Sequence, residues 1–540
     1  MLQSPFGSVD KRVMDIFVVL NAIHIDGHAF DPLFSDGDTA LSRTVRKALS
    51  LAPGGRCFLF LPSRYVDVAS GHLREKGLDA VVFVQRQQWD TDAFLQALDE
   101  AASSLPAPTE GSLQLFYHLY ADAPLFDESL ALRMLHNHEH YYATYSFADG
   151  YPRFIAPEIV SVSAIGQIRE LYRSSRSSGK DVPLSDSILF DLIQKDINAF
   201  DIETEIAPDD LRLLRVDLAA RGKERTLLLK HIIDAGGEVE PIPEILVRQP
   251  ALLRTVPAFI YVQIHSACPQ RCSWCPYPKA PSKAIDRSES MSPEALASIL
   301  DQVLELSEEA VIGLSLWGEP ALHPDIQAMV GEVISRPGLS AMIETSGIGW
   351  NLSVLDAIAT LETATERIEW VVSLDAFELE TYRRFRGEGM EEALATVRAL
   401  AERFPGHVRV QAVRTKENEA ELEQFYRFWK KQNVEVIIQK YDNFAGALEE
   451  LKVTDLSPVV RFPCWHLKRD LHIFLDGSVP LCKEIIPGSE SIQQGTLLGN
   501  VFEEPLKDIW KRGEERYLAH TRQEWGYPCE GCDEYYTFNF

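Results

Sequence analysis

Two stretches of the chain alternate short apolar runs with amphipathic ones, and each predicts a sheet covered by helices. In the first, from about residue 14 to 233, strands are expected at 15–20, 56–61, 80–84 and 113–119, with helices at 41–52 and 91–102. In the second, from 258 to about 443, strands are expected at 258–265, 311–317, 340–344, 368–374, 408–414 and 434–440. Helices between these are expected at 292–306, 325–335, 390–404 and 419–433. Strands that alternate with helices are joined by crossovers, which makes the sheet parallel or mostly parallel. Ser292-Pro293-Glu294 is a strong helix start, with serine as the cap and proline at the first helical position. Six βα units fit an open or partial barrel, since eight usually take about 250 residues. Pro241, Pro243, Pro250 and Pro257 mark 236–257 as a linker or extended arm. From Ser457 onward the pattern is irregular, with too little periodicity for a large core. The expected fold class is α/β, divided into 1–235, a linker 236–257, a partial barrel 258–450 and a small part 455–540.

Composition narrows the function classes. The 540 residues include 53 Lys+Arg and 80 Asp+Glu, a net charge of −27, with 46% hydrophobic residues. That balance is globular and excludes a largely disordered, collagenous or membrane-embedded chain. An acidic chain is also a poor nonspecific nucleic-acid binder, because such binding needs basic groups to displace counterions. The apolar run 13–23 follows Lys11 and Arg12, but Asp15 interrupts it and no small-residue cleavage site follows. It reads as a buried strand. No apolar run reaches about 20 residues, so neither a membrane partner nor export is expected, and the expected location is cytoplasmic.

Eight cysteines sharpen the picture. Cys268, Cys272 and Cys275 form one group, and Cys464, Cys482, Cys529 and Cys532 another, leaving Cys57 beside Phe58 on an apolar strand. Clustered cysteines in a reducing compartment read as metal ligands, and Cys57 as a core residue.

The first group reads His265-Ser-Ala-Cys268-Pro-Gln-Arg-Cys272-Ser-Trp-Cys275, a C-x3-C-x2-C spacing directly after a strand. Three thiolates on one tight loop suit three irons of a [4Fe–4S] cube. The fourth iron is then open, as in catalytic metal sites. A zinc loop completed by His265 is the alternative. The loop resembles the radical S-adenosylmethionine (SAM) motif, and further stretches follow in that family's order. Leu316-Trp-Gly318-Glu319-Pro320 resembles its GGEP signature, with Trp317 in place of the first glycine. Glu344-Thr-Ser346-Gly347 and Ser373-Leu-Asp375 end the next two strands, and Tyr382-Arg-Arg-Phe-Arg-Gly387 follows. The resemblance implies cluster-bound SAM, cleaved by one electron from an external donor such as flavodoxin or ferredoxin to give a 5′-deoxyadenosyl radical. It also implies that Trp274 packs beside the adenine and that Gly318, Glu319 and Pro320 lie near the SAM amino group. Ser346, Ser373 and Asp375 would be further SAM contacts. Arg414 is either a partner of the SAM carboxylate or a solvated strand-end arginine.

The second group lies within Pro463-Cys464-Trp465, Leu475-Asp-Gly477-Ser-Val-Pro-Leu-Cys482, Leu498-Gly-Asn-Val, Leu506-Lys-Asp-Ile-Trp510 and Cys529-Glu-Gly-Cys532. This resembles the SPASM extension of radical SAM proteins. Four cysteines suffice for one auxiliary [4Fe–4S] cluster, against a four-thiolate zinc site as the alternative. Tyr535 and Tyr536 are expected to pack the tail.

The N-terminal region is less direct. Asp122 ends a strand before Ala-Pro-Leu, and Pro152–Glu158 and Leu214-Arg-Val-Asp217 follow. These resemble sugar-nucleotide cytidylyltransferases of GT-A-like fold, in which Asp122 and Asp217 would hold a divalent metal. The glycine-rich, basic phosphate loop of that family is absent after the first strand, where Asn21-Ala-Ile-His24-Ile-Asp-Gly27-His28 stands instead. The resemblance therefore implies a degenerate nucleotidyltransferase-like domain, one that binds a nucleotide, a sugar or a partner or that serves only as architecture. Together the parts resemble the spiro-SPASM family: a radical SAM enzyme acting on a peptide or a carbohydrate- or nucleotide-linked substrate. The alternatives are a nucleotidyltransferase or sugar-nucleotide-binding protein with a structural or regulatory iron–sulfur half, and a noncatalytic scaffold.

Overall fold

The computed structural model describes residues 14–108, 112–177, 182–279, 288–492 and 495–537. Val13, the first residue of the N-terminal apolar run, and 538–540 at the end of the tail lie outside them. The chain forms two compact units, Met1–Arg248 and Gln249–Phe540.

Unit 1 is built on seven strands: β1 (Met14–Asn21), β2 (Cys57–Pro62), β3 (Val81–Arg86), β4 (Leu113–Tyr120), β5 (Tyr145–Asp149), β6 (Glu158–Ser161) and β7 (Ile202–Ile206). Their order is β3-β2-β1-β4-β6-β5-β7, parallel except where β6 pairs antiparallel with β4 and β5. The four strands expected from the apolar pattern are β1–β4. The central strand β1 ends in five buried residues, as a strand covered on both faces must. Phe17, Phe58, Phe60, Phe94, Phe116 and Tyr145 fill the core between sheet and helices.

The segment 236–257 is not an extended arm. It folds into a helix, Ile242–Arg248, that buries Ile242, Ile245 and Leu246, and then a short turn of helix at Pro250–Leu253. Pro241 and Pro243 sit just before and inside the first helical turn, where a missing N–H costs no hydrogen bond.

Unit 2 contains β8 (Phe259–Val262), β9 (Ala310–Gly313), β10 (Leu339–Thr345), β11 (Ile368–Ser373), β12 (Val408–Arg414), β13 (Glu435–Lys440) and β14 (Asp470–Ile473). All are parallel, in the order β13-β12-β11-β10-β9-β8-β14. The first six are the expected βα units in sequence order. The seventh comes from the tail and pairs with β8, Asp470 against Phe259 through Ile473 against Val262. Ser292 caps the helix Pro293–Ser307 by accepting from the Ala295 amide at 3.2 Å. A two-stranded ribbon of β15 (Ser478–Pro480) and β16 (Leu497–Asn500) precedes the helix Leu506–Arg512. Leu506, Ile509 and Trp510 of that helix join the barrel's own hydrophobic core, so 455–540 does not stand as a body apart. Among the described residues, no helix is long and apolar enough to cross a membrane.

Candidate active site

The loop after β8 carries Cys268, Cys272 and Cys275, and all three line one cavity of about 230 Å³ at the C-terminal end of the parallel strands. That is the end at which barrel sites are built from the strand-to-helix loops. The loop's path depends on Gly318. Gly318 has φ +100°, and a Cβ there would lie 2.1 Å from the His265 carbonyl oxygen. The Glu319 amide donates to the Ala267 carbonyl at 2.7 Å, so the β9 loop and the cysteine loop lie directly against each other. Only a residue without a side chain permits that approach.

Burial pushes the Cys268 thiol up to about 11 and that of Cys275 to about 12. Cys272 is raised by burial as well, with the Arg386 guanidinium pulling the other way. Metal binding must therefore displace protons from these sulfurs.

Of the expected SAM-side residues, Trp274 and Gly318 line the cavity. Trp274 packs edge-on against Phe385, ring centroids 4.7 Å apart. Glu319 is buried and turned toward β10. Thr345 Oγ1 donates to its Oε1 at 2.5 Å, the Ser346 amide to its Oε2 at 2.7 Å and the Ala321 amide to its Oε1 at 3.1 Å. Burial raises its pKa while these bonds oppose the rise. Glu319 and Ser346 thus hold two loops in register, and Pro320 opens the short turn Pro320–Leu322 between them. Ser373 ends β11 without lining the cavity. Asp375 is buried and accepts from the Val413 amide at 2.7 Å and from Arg386. Arg414 does not reach the cavity. Adjacent strand residues face opposite ways, and Val413 takes the inner side. Arg414 makes a bidentate pair with Glu419, both distances 2.7 Å, at the surface.

The sequence reading marked Arg386 only as part of the stretch 382–387 and did not single out Gln270, Lys440, Asp442 or Lys483. The Arg386 guanidinium is buried, bonds Asp375, and donates to Gln270 Oε1 at 2.8 Å; Gln270 donates to the Tyr382 hydroxyl at 2.8 Å. Lys440, Asp442 and Lys483 line the same cavity as the cysteines. Lys440 pairs with Asp533 at 2.8 Å and Glu534 at 2.5 Å, and Lys483 with Asp442 at 2.7 Å and Glu534 at 2.9 Å. Burial works against the charge on Lys483, but Asp442 and Glu534 outweigh it. Charges tens of residues apart along the chain left no signal in the local pattern.

Cys464, Cys482, Cys529 and Cys532 converge on a second, enclosed cavity, with His520 and Glu484 beside them. Burial raises all four thiols, Cys464 to about 12. His520 Nε2 is buried there without a hydrogen-bond partner among the described residues.

The chemistry of both donor sets fits iron–sulfur clusters. A tetrahedral zinc site with 2.3 Å bonds brings its sulfurs to about 3.8 Å of one another. Among the described residues, the donor group gathered within 4.8 Å is Asp442, Asp533 and Glu534, and no cysteine belongs to it. His265, the candidate fourth zinc ligand, bonds Ser290 Oγ at 2.8 Å through Nδ1 and does not line the cavity. Cys57 is buried and unpaired.

In unit 1, Asp122 is fully buried and committed to Arg221, whose Nε donates to Oδ2 at 2.5 Å and whose Nη2 donates to Oδ1 at 3.3 Å. Arg221 also donates to Asp186 at 2.7 Å. Asp217 faces Arg225 at 3.4 Å and accepts from the Ala219 amide at 3.0 Å. The guanidinium supplies the positive charge that Asp122 would otherwise take from a divalent metal, so these residues do not fit the expected metal pair. His24 and His28 lie on the loop after β1, and His28 Nδ1 is 3.5 Å from Asp31.

Comparison with known proteins matches residues 262–428 to the radical SAM superfamily and 464–533 to the SPASM iron-sulfur cluster-binding domain. An uncharacterized protein of Treponema pallidum (strain Nichols) is 38% identical over 365 residues, covering 66% of this chain and 99% of that protein. The tungsten-containing aldehyde ferredoxin oxidoreductase cofactor-modifying protein of Pyrococcus furiosus is 24% identical over 313 residues, covering 51% of this chain and 86% of that protein. Among solved structures, Streptococcus suis SuiB gives a TM-score of 0.41 at 14% identity, covering 69% of this chain and 83% of SuiB.

Proposed function

The chain belongs to the radical SAM superfamily and carries a SPASM domain, and from that premise we propose that it cleaves SAM reductively and abstracts a hydrogen atom from a peptide or a carbohydrate- or nucleotide-linked substrate. The radical SAM domain binds a [4Fe–4S] cluster and SAM, and the SPASM domain binds iron–sulfur as well. One observation carries the proposal: three cysteines, and no fourth among the described residues, open from one loop onto a cavity shared with Trp274 and Gly318. Three thiolates leave one iron free for a non-protein ligand. Bound there, the cluster and SAM would supply one-electron reductive cleavage of the sulfonium bond, with the electron coming from an external donor.

The chain's own residues do the rest. Arg386 places a buried positive charge beside Cys272 and stabilises the thiolate form needed for ligation. Trp274, which lines the cavity, would present its ring to the adenine. Trp317, its buried indole N–H unpartnered among the described residues, stacks on Tyr277 and narrows the cavity where a glycine would leave space. Lys440, Asp442 and Lys483 line the same cavity and would form its polar wall toward a substrate. Cys464, Cys482, Cys529 and Cys532 would hold one auxiliary cluster that relays an electron. An external donor such as flavodoxin or ferredoxin would supply the electron for cleavage.

The test is anaerobic reconstitution followed by dithionite and SAM, with iron, sulfide and 5′-deoxyadenosine measured. About eight irons per chain are expected, four from each cluster, together with deoxyadenosine formation that Cys272→Ala abolishes. Cleavage that survives Cys272→Ala would refute the proposal. CTP-dependent pyrophosphate release without deoxyadenosine would favour a nucleotidyltransferase instead.

A further inference from the structure

The helix Glu514–Thr521 carries His520 to the enclosed cavity that Cys464, Cys482, Cys529 and Cys532 line. The imidazole is buried, and the backbone fixes its tautomer. The Cys464 amide donates to Nδ1 at 3.3 Å. An amide N–H can only donate, so Nδ1 carries no proton and the ring's one proton sits on Nε2. That N–H is cut off from water and has no partner among the described residues. Glu484 lines the same cavity but is not its partner, since both carboxyl oxygens of Glu484 lack one as well. A buried donor left unsatisfied is costly, and a group that the chain itself does not supply is what repays it.

The surroundings hold this ring in place. Trp525 packs edge-on against it, centroids 4.8 Å apart, and the Arg461 guanidinium lies 4.0 Å from the Trp525 ring. Further donors reach the cysteines from the same side chains that border the cavity. Arg461 Nη2 donates to the Cys529 carbonyl at 2.7 Å, and Arg516 Nη1 lies 4.0 Å from Cys529 Sγ. Four thiolates around one metal group concentrate negative charge, and positive groups and N–H donors beside them favour it.

We infer that the Nε2–H of His520 donates to a sulfur of the auxiliary cluster held by these four cysteines and so raises its reduction potential. The inference rests on the proposed role of the four cysteines as cluster ligands. They complete the coordination, and Nε2, already protonated, has no lone pair to offer a metal. His520 therefore acts on the cluster through its sulfur. Reduction adds a negative charge to the cluster, which strengthens a hydrogen bond to its sulfur and favours the reduced form.

The test is a potentiometric titration of the reconstituted full-length protein, followed by electron paramagnetic resonance. It is run on the parent and in a background of Cys268→Ala, Cys272→Ala and Cys275→Ala, which isolates the auxiliary cluster. His520→Asn keeps an oxygen able to accept from the Cys464 amide and removes the donor. His520→Gln restores an N–H near the place of Nε2. His520→Asn should disfavour the reduced form about tenfold, a fall of about 59 mV for one electron, and His520→Gln should recover most of that shift. Electron–nuclear double resonance should show a proton coupled to the cluster that disappears in D₂O and is missing from His520→Asn. An unmoved potential, as expected if the N–H only faces the Trp525 ring, would overturn the inference. So would an equal fall in both variants, which packing alone would cause, or a nitrogen coupling of the size of a direct ligand. A parent protein that loads only about four irons, with none in the triple-alanine background, would remove the auxiliary cluster itself. About eight irons with an unmoved potential would remove only the role of His520.

Discussion

Arg386 and Asp375 are both buried, and neither charge is stable there alone. Removing one partner of a buried ion pair leaves the other charge uncompensated, at a cost of about 3–5 kcal/mol. Arg386→Gln should therefore destabilise unit 2 by that order, and Asp375→Asn placed on top of it should recover most of the loss. A double-mutant cycle by chemical denaturation measures both. In unit 1, His138 is buried between Ser146 Oγ at 2.7 Å and Ser161 Oγ at 3.3 Å, and burial lowers its pKa to about 4. Below the ordinary value near 6.5, the unfolded chain takes up a proton that the folded chain refuses. Stability should thus fall as the pH drops from about 6.5 to about 4, by roughly 3 kcal/mol in all, and level off below. His138→Gln should flatten that slope in melts taken across the range; an unchanged slope would show that His138 does not cause it. The motif stretches of the sequence marked Asp375 and the segment around Arg386 as site residues, but not that they neutralise each other, because their pairing depends on a turn in which Asp375 itself takes φ +65°. For Arg414, strand alternation alone set the outcome, and the motif resemblance did not carry it.

The elements that were legible are those with a strong period. The strand expected at 408–414 and the observed β12 have identical bounds, and the helices expected at 292–306 and 390–404 shift by one residue or less at each end. The elements that were not legible are short and polar. β7 reads Ile-Glu-Thr-Glu-Ile, and β14 reads Asp-Leu-His-Ile. Within β14, Leu471 and Ile473 face the barrel core while His472 stacks on Tyr261 at 5.2 Å, so four residues satisfy two environments without an apolar run. β14 covers the free edge of β8, the strand that leads into the cysteine loop. An uncovered parallel edge is a site of aberrant pairing. Ile473→Ala should cost about 2–5 kcal/mol. A chain ending at residue 455 should lose more, since it also loses Val479, Leu506, Ile509 and Trp510 from the same core. Solubility and thermal unfolding of the two variants check this; a stable, soluble shortened chain would mean the tail only docks on a finished barrel.

At the scale of the molecule, two units with separate cores imply two unfolding events, and the seven cysteines proposed as iron–sulfur ligands all lie in the second. A group bound by the native state and not by the unfolded one stabilises by mass action. If the seven buried or half-buried thiols, pushed up by burial, hold the clusters as proposed, unit 2 is the one that responds. The net charge of −27 does not decide this, because it is a sum over both units and the deciding charges are paired inside each. Calorimetry of the reconstituted protein should show two transitions. Stripping iron with a chelator under reducing conditions should lower the one belonging to unit 2 by several degrees or more, since each 1 kcal/mol shifts a domain of that size by about 2–4 °C. The other transition should stay in place, because in unit 1 Arg221 already occupies the position a metal would take beside Asp122. Addition of Mg²⁺ provides the complementary arm. With both Asp122 oxygens bonded to the guanidinium, it should move neither transition, and a rise confined to unit 1 would mean that Arg221 yields its place to the ion.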